Sequence, residues 1–419
     1  MKKIRVRYAP SPTGIPHVGN IRTALFNFLF ARNNGGDFIL RIEDTDRKRL
    51  VPQAEEKIEE SLKALSLNWD AKIVQSQRLK IYGKYLDELK NKEFVYEDEG
   101  AWRFKVEKGK DLTWQDGVHG AITFKSEVLE DFIVMKSDGF PTYHFASVID
   151  DYETQISHVF RGDEWISSTP KHLLIYQSFG WTPPIFVHLP IILGPDRKKL
   201  SKRDGAKTVF EYLDEGFLPE ALVNFLAFLG WAPKGEKELF SQEELIKEFS
   251  LERINKNNPI FNVEKLKWFN NQWIKKLTDE EFAQKVTKFY GKYDLDAIKK
   301  IAPLVKERLF TLKDFLNLAD FFFTSPDFSQ LPSIEIKKED IAQAASYFGD
   351  LNEWNAQNIK SLFEEIADKQ KIDRVKLIAA VRNIISGKTV TPPLYESMEI
   401  LGRDETIKRL DEYLKKSNK

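Results

Sequence analysis

The chain contains no cysteine among its 419 residues. Disulfide bonds and thiolate metal sites are therefore excluded, and a reducing cytoplasmic location is expected. Residues 1–10 lack the apolar core of a signal peptide. The most apolar stretch, residues 221–232, is too short to cross a bilayer, which takes roughly 20 residues. We therefore expect a soluble protein that does not associate with membranes.

An excess of either charge is also absent, since 64 Lys and Arg balance 64 Asp and Glu. The overall charge does not indicate a nucleic-acid binder, so any contact with RNA must come from local basic patches. All six histidines lie between His17 and His188. Imidazole chemistry is therefore confined to the first half of a chain that is long enough for several domains.

The N-terminal pattern predicts a strand, a helix and a second strand. Apolar residues alternate from Ile4 to Tyr8, recur at helical spacing from Ile21 until Gly35, and form a further strand pattern at 37–43. This order favours a right-handed βαβ unit in a doubly wound parallel α/β sheet, with ligands beyond the carboxyl ends of the strands.

The remaining patterns extend this fold. Helical periodicity is found at 54–67 and 80–90, and short alternating runs between 94 and 135 indicate a small β-rich insertion. Further strands are expected at 143–149, 156–160 and 185–192, and almost everything after 210 is helical in pattern.

Two short segments suggest a site for a phosphate-rich ligand. The turn 12–20 offers His17, Gly19 and the positive end of the following helix, while the loop 194–203 carries five cations that suit a triphosphate. Taken singly, the first fits an ordinary turn and the second a basic surface loop. Their presence together, in this order, favours the ligand site.

The same two segments resemble signatures of class I aminoacyl-tRNA synthetases. The likeness to the HIGH signature lies in Pro12-Thr13-Gly14-Ile15-Pro16-His17-Val18-Gly19-Asn20, and the likeness to the KMSKS signature lies in Lys199-Leu200-Ser201-Lys202-Arg203. Five further strings narrow the resemblance to bacterial-type glutamyl-tRNA synthetases: residues 9–14 (APSPTG), 41–46 (RIEDTD), 138–143 (DGFPTY), 161–165 (RGDEW) and 215–221 (EGFLPEA). The likeness covers residues 4–275 and continues more weakly beyond. Asn20 replaces the second histidine of HIGH, which leaves one contact on the phosphate side in doubt.

The resemblance implies the following domains: a Rossmann-like catalytic domain of residues 1–93 and 136–192, an acceptor-stem-binding insertion at 94–135, a KMSKS and stem-contact region at 193–275, and an all-α anticodon-binding region at 276–419. The insertion is shorter than usual in the family and lacks the cysteine cluster that binds zinc in some relatives. No zinc or other protein-bound metal is therefore expected.

The resemblance also implies a glutamate pocket. Its residues would be Arg7, Ala9, Ser11, Glu43, Tyr143, Ser147 and Arg161. Arg7 and Arg161 suit an anionic side chain, because guanidinium groups bind carboxylates in a fork geometry. Glu43 would hold the substrate's ammonium group. Arg161 favours glutamate over glutamine, because an amide would leave a buried guanidinium without a counter-charge.

For ATP, the resemblance implies His17, Gly19, Glu164, Trp165, Ile192, Lys199, Leu200, Ser201 and Lys202. We expect His17, Lys199 and Lys202 to be catalytic, with Lys202 the strongest candidate. The expected reaction is ATP-dependent ligation of L-glutamate to tRNA(Glu) through a glutamyl-adenylate, with release of AMP and diphosphate. It relies on positioning, charge stabilisation and Mg²⁺ on the phosphates rather than on a nucleophilic side chain.

The RNA contacts are less specific in sequence. Trp102, Arg103, Lys105, Trp114 and His119 in the insertion suit unpaired nucleotides, but they fit the core of a small sheet equally well. Further candidates lie on the C-terminal helices: Arg308, Lys313, Arg374, Arg382 and Lys388. A monomer is the family expectation.

Two other functions stay open at this point. A glutaminyl enzyme would prefer glutamine and tolerate loss of Arg161. A regulatory RNA-binding protein on the same scaffold would have no reason to keep all four of His17, Glu43, Arg161 and Lys202. Truncated relatives that modify a tRNA base lack the anticodon-binding part, which the helical C-terminal region argues against. The sequence does not decide whether tRNA(Gln) is also charged.

Overall fold

The computed structural model describes residues 3–201 and 205–416. Within these residues the chain forms two compact units. The first contains the chain up to Leu213 together with Pro219–Phe269, and the second contains Asp214–Leu218 and the chain from Asn270 onward. No helix in the described ranges is both long enough and apolar enough to cross a membrane.

The strands all lie in the first unit. Their bounds are β1 Arg5–Tyr8, β2 Asp37–Ile42, β3 Ala71–Val74, β4 Val95–Asp98, β5 Ala101–Phe104, β6 Asp111–Asp116, β7 Gly120–Lys125, β8 Phe132–Met135, β9 His158–Gly162 and β10 Ile185–Leu189.

Helices occur in both units. Those up to residue 276 are α1 Val18–Asn33, α2 Ala54–Ala64, α3 Leu79–Asn91, α4 Tyr143–Glu153, α5 Thr169–Phe179, α6 Val209–Asp214, α7 Pro219–Phe228, α8 Gln242–Glu248 and α9 Val263–Lys276. The later ones are α10 Asp279–Tyr290, α11 Leu295–Val305, α12 Phe315–Ala319, α13 Lys338–Gly349, α14 Ala356–Gln370, α15 Arg374–Ser386, α16 Leu394–Leu401 and α17 Arg403–Lys416.

Parallel pairing organises the first unit. Strands β1, β2 and β3 pair in that order, and β9 pairs with β10 in the same parallel sense. Ser157, just before β9, donates its backbone N–H to the Arg5 carbonyl at 2.8 Å and so links β1 to β9. The predicted doubly wound parallel α/β fold is confirmed. The segments that follow β1, β2, β9 and β10 therefore open onto one edge, where the predicted site residues lie.

Residues 94–135 contribute to two different sheets. Strands β4, β5 and β8 form an antiparallel sheet, whereas the β6–β7 hairpin continues the sheet of β9 and β10. Asp116 pairs with Phe186 of β10, and the next N–H, from Gly117, donates to the Phe186 carbonyl at 2.8 Å. Strand β6 buries every second residue, Leu112, Trp114 and Asp116. The end of β6 thus places a carboxylate inside the protein.

The prediction of a strand at Tyr143–Ile149 is wrong, since these residues begin helix α4. Five consecutive residues, 145–149, are buried, so the helix has no exposed face in this part. A fully buried helix produces a continuous run of apolar and small residues, which periodicity cannot separate from a buried strand. The helix carries Tyr143 at its start and Asp151 near its end.

The second unit is helical around a core formed by α13 to α17. The short segment Asp214–Leu218 belongs to it through backbone contacts. Gly216 has a φ of +85°, its carbonyl accepts from the Leu312 N–H at 2.9 Å, and a Cβ at this position would lie 2.6 Å from the Lys313 nitrogen. Asn270 accepts from the Leu218 N–H at 2.7 Å. Only glycine fits at position 216, because both the conformation and the space exclude a side chain.

Candidate active site

A cavity of about 820 Å³ opens at the carboxyl ends of the parallel strands. Thirteen of the predicted site residues line it: Arg7, Ala9, Ser11, His17, Gly19, Glu43, Tyr143, Arg161, Glu164, Trp165, Ile192, Lys199 and Leu200. Ser147 and Ser201 are described but lie outside its lining, and Lys202 lies outside the described residues. Asn20, the departure from the HIGH pattern, also lines the cavity.

His17 caps the helix that follows the first motif. Its Nδ1 accepts from the Gly19 N–H at 3.0 Å, at the N-cap of α1. Burial, with the nearby Lys199 charge, lowers the pKa of His17, so the ring is neutral at pH 7. Because Nδ1 is the acceptor, the ring proton is on Nε2. The site therefore has a neutral N–H donor at the positive end of a helix, a combination that suits phosphate oxygens.

Arg7 and Arg41 are buried and paired with carboxylates. Asp151 accepts from Arg7 Nε at 3.0 Å and from Arg41 Nη1 at 2.5 Å, and Glu43 accepts from Arg41 Nη2 at 2.9 Å. Burial raises the pKa of Asp151, but the two guanidinium groups more than offset this and hold it below the ordinary value. Burial raises the pKa of Glu43 despite Arg41. Glu43 is thus a carboxylate that a further cation would stabilise in its charged form.

Ser147 has a different contact from the one predicted. Its buried hydroxyl accepts from Arg41 Nη2 at 3.0 Å. Ser147 therefore supports the arginine that holds Glu43, and its predicted direct contact with glutamate stays a prediction.

Arg161 lies among neutral acceptors. It is 5% exposed, and it donates from Nε to His188 Nε2 at 3.1 Å and from Nη2 to Thr169 Oγ1 at 2.7 Å. Longer contacts of 3.4 Å join Nη1 to the Tyr143 hydroxyl and to His172 Nδ1. Within the described residues, no carboxylate forms an ion pair with Arg161. Burial lowers the pKa of this guanidinium, which marks the cost of keeping it charged here.

A network of histidines and a carboxylate lies behind Arg161, and sequence reasoning missed it. His188 Nδ1 contacts Asp116 Oδ2 at 2.5 Å, and His172 Nε2 contacts His144 Nδ1 at 3.1 Å. Burial lowers the pKa values of His188, His172 and His144. The pKa of His144 falls to about 4. The sequence did contain a signal, because Asp116 falls in phase with the buried residues Leu112 and Trp114 of an alternating strand.

Several polar atoms in the cavity wall lack partners among the described residues. They are buried atoms of the Tyr8 hydroxyl, Arg22 Nε and Gln75 Oε1. Buried polar groups are almost always hydrogen-bonded in folded proteins. Arg161 and Glu43, which line the cavity, suit a ligand that carries charges of both signs.

Three of the residues predicted to bind ATP, Glu164, Trp165 and Lys199, line the cavity. The Trp165 and Tyr143 ring centroids are 4.5 Å apart, and a Cβ on Gly162 would lie 2.1 Å from Glu164 Oε2. Lys199 follows a tight turn in which the Gly194 N–H donates to the Lys198 carbonyl at 2.8 Å. This turn brings an exposed lysine to the cavity edge, near His17.

The predicted RNA contacts fall into different environments. Trp114 is buried and stacks on Phe124 with centroids 5.9 Å apart, so it belongs to the core of the insertion. Arg103 pairs with Asp98 at 2.5 Å, and Lys105 is exposed. The Trp102 ring is covered by the Lys90 ammonium group, 4.1 Å from the ring centroid. His119 Nε2 contacts Asp163 at 2.9 Å.

The C-terminal candidates are described within the second unit alone. Arg308 donates to the Thr391 carbonyl at 2.6 Å, Arg374 pairs with Glu364 at 2.7 Å, and Lys388 pairs with Asp320 at 2.6 Å. Lys313 is exposed and Arg382 is half-buried. Their roles in RNA binding stay predictions.

In the part of the chain that the structure describes, no three His, Asp or Glu side chains are grouped as metal ligands.

Known families match almost the whole chain. The model of the catalytic domain of class I tRNA synthetases (E and Q) matches residues 3–102 and 90–268, and an anticodon binding domain matches 281–414. The chain is 40% identical to a glutamate–tRNA ligase of Dehalococcoides mccartyi, with 97% of this chain and 96% of that protein covered. This chain belongs to the glutamate–tRNA ligase family. The predicted family resemblance is confirmed.

Other relatives agree with this assignment. The glutamate–tRNA ligase of Bacillus subtilis is 36% identical, with 97% of this chain and 99% of the relative covered. The crystal structure of a glutamate tRNA ligase from Elizabethkingia meningosepticum, in complex with its amino acid, superimposes with a TM-score of 0.91. It is 31% identical and covers 99% of both chains. The matches to glutamate–tRNA ligases therefore cover both units of the chain.

Proposed function

We propose that this chain catalyses ATP-dependent ligation of L-glutamate to tRNA(Glu) through a glutamyl-adenylate, with release of AMP and diphosphate. The observation that carries the choice of amino acid is Arg161, a buried guanidinium in the cavity wall whose described partners are all neutral. A carboxylate ligand supplies its missing counter-charge. A side-chain amide does not, and leaves the cost of burial uncompensated.

The opposite end of the amino acid needs an anionic partner. Glu43 lines the same cavity, and both of its bonds from Arg41 end on Oε1. We assign the substrate's ammonium group to Glu43 and its γ-carboxylate to Arg161, with Arg7, Ala9, Ser11 and Tyr143 completing the wall. Ser147 acts on the substrate through Arg41. The α-carboxylate is then free to react.

In the first step, an α-carboxylate oxygen of glutamate attacks the α-phosphorus of ATP, and the bond to diphosphate breaks. In the second step, a hydroxyl of the terminal tRNA ribose attacks the activated carbonyl, and AMP leaves. Neither step needs a covalent bond to the protein. The protein positions the reactants and stabilises the charge that develops on the phosphates.

Residues that line the cavity support the proposed ATP site. His17 donates from Nε2 to a phosphate oxygen, and Lys199 offers a cation at the cavity edge. Gly19, Glu164, Trp165, Ile192 and Leu200 surround the nucleoside. Ser201 and Lys202 are assigned to the triphosphate by the family resemblance, with Lys202 as the principal catalytic cation.

The other partners follow from this reaction. Residues 94–135 bind the acceptor stem and the helical C-terminal region binds the anticodon. The protein works as a monomer in the cytoplasm, without zinc. Mg²⁺ enters with ATP.

The test is aminoacylation with labelled glutamate or glutamine on separate transcripts of tRNA(Glu) and tRNA(Gln). Transfer of glutamate to tRNA(Glu) alone supports a discriminating enzyme, and transfer to both transcripts supports an enzyme that also supplies a tRNA-dependent amidation. A preference for glutamine would overturn the assignment of Arg161, and no transfer at all would overturn the ligase function.

A further inference from the structure

Arg7 and Arg161 are buried arginines that line the cavity, and their partners differ. Arg7 and Arg41 each form a direct ion pair with Asp151. Among the described residues, Arg161 reaches a carboxylate through an imidazole, in the order Asp116, His188, Arg161. All three of these residues are buried, with Asp116 3% and His188 0% exposed.

The hydrogen bonds fix the tautomer of His188. Arg161 Nε carries a hydrogen and donates, so His188 Nε2 must accept. The proton of the neutral ring is then on Nδ1, where it is donated to Asp116 Oδ2. Asp116 is itself fixed, because it also accepts the backbone N–H groups of Val118 and His119 at 3.0 and 3.1 Å. The end of the β6–β7 hairpin thus determines how the imidazole faces Arg161.

This arrangement has a consequence for binding an anion. A carboxylate placed directly on Arg161 would neutralise it and compete with the substrate's own carboxylate. A neutral imidazole orients the guanidinium through Nε and leaves its charge uncompensated at close range. The Nη groups remain at the cavity wall. They donate a hydrogen bond to Thr169 and form long contacts with Tyr143 and His172.

Building on the proposed function, we propose that Asp116 and His188 are positioning residues for glutamate: they hold Arg161 by Nε so that its Nη groups meet the γ-carboxylate. The β6–β7 hairpin, which belongs to the predicted acceptor-stem insertion, thereby contributes to the choice of amino acid. Neither residue touches the reacting atoms.

Three variants separate the parts of this device. His188→Phe removes the ring's contacts with Arg161, Asp116 and Thr169, and His188→Gln keeps an acceptor for Arg161. Asp116→Asn removes the charge and allows the imidazole to adopt the wrong tautomer, which points a proton at Arg161 Nε. His158→Gln is the matched control, because His158 is a buried histidine of β9 whose ring contacts Ser157 and Phe30 instead.

The measurement is ATP–diphosphate exchange with tRNA(Glu) present, with separate KM values for glutamate and ATP. A lost hydrogen bond to a charged group predicts an increase in KM for glutamate of about tenfold or more in His188→Phe and Asp116→Asn. We expect partial recovery in His188→Gln, an unchanged KM for ATP in each variant, and wild-type constants in His158→Gln.

Binding of a non-reactive sulfamoyl analogue of glutamyl-adenylate, measured by calorimetry, gives a readout that does not depend on turnover. It should weaken in parallel with KM for glutamate, while thermal unfolding shows that each variant is folded. A KM for glutamate within twofold of wild type in His188→Phe, or equal increases in both KM values, would overturn the proposal. Failure of the wild-type protein to use glutamate would instead refute the proposed function.

Discussion

Replacing Arg161 with glutamine tests the central charge of the site. The change removes a guanidinium that is 5% exposed, while the shorter Gln keeps a polar group near the position of Arg Nε. Losing one partner of a buried charge pair costs about 3–5 kcal/mol, and each 1.4 kcal/mol is a factor of ten. We therefore expect kcat/KM for glutamate to fall by a factor of roughly 10² to 4 × 10³, with most of the loss in KM.

The stability of the same variant should change in a different direction. Arg161 has no carboxylate ion pair among the described residues, so the free protein does not recover the cost of burying its charge. Removing that charge should leave the urea midpoint unchanged or raise it. By contrast, Arg7→Gln leaves Asp151 with one partner fewer and should lower the midpoint.

The assay is ATP–diphosphate exchange with glutamate and glutamine in parallel, alongside urea unfolding. Arg5→Gln is the control, because Arg5 lies on the same strand as Arg7 but pairs with Asp37 and is not part of the cavity wall. Unchanged use of glutamate by Arg161→Gln, with its selectivity over glutamine intact, would refute the reasoning. So would a loss of stability as large as the loss of activity.

Three further predictions concern His17, Gly19 and the buried histidines. His17→Ala should lower the free energy of unfolding by about 1 kcal/mol because the helix cap is lost, whereas His17→Asn should keep the cap; urea unfolding measures this difference. Both variants should slow adenylate formation in the exchange assay. Gly19→Ala should raise KM for ATP several-fold, because the added Cβ would lie 2.8 Å from the His17 ring. Gly83→Ala is the control and should leave this KM unchanged, because a Cβ at position 83 would have no atom within 4 Å. Burial lowers the pKa of His158 to about 4, so the unfolded chain binds more protons below pH 6.5. The contribution of His158 to the unfolding free energy should therefore fall by up to ~3 kcal/mol between pH 6.5 and 4. This slope should become shallower in His158→Gln; an unchanged slope would contradict the prediction.

The sequence predicted those parts of the fold whose patterns are local. The β1, α1 and β2 elements follow from alternation, helical spacing and the glycine stop, and they bring His17 and Glu43 to the same edge. Helix α4 was mistaken for a strand, because burial on all sides removes the periodic contrast that distinguishes the two. Local pattern therefore fails where an element is completely enclosed by others.

The site shows the same limit. The family strings identified the residues that line the cavity, but not those that act behind it. Ser147 contacts Arg41, 106 positions away in sequence, and Asp116 contacts His188, 72 positions away. Such contacts exist only once the sheet has formed. A single chain offers one hint of them, a polar residue in phase with buried apolar ones, and Asp116 in β6 is such a case.

The segment Asp214–Leu218 has a practical consequence for dividing this protein into parts. A fragment that begins at Asn270 lacks the Gly216 carbonyl that accepts from Leu312 and the Leu218 N–H that Asn270 accepts. Exchange of the C-terminal half between related enzymes would transfer only part of its folding unit, unless the five residues from 214 were exchanged with it. The two units are therefore not separable by a single cut, and a chimaera needs both segments from the same parent.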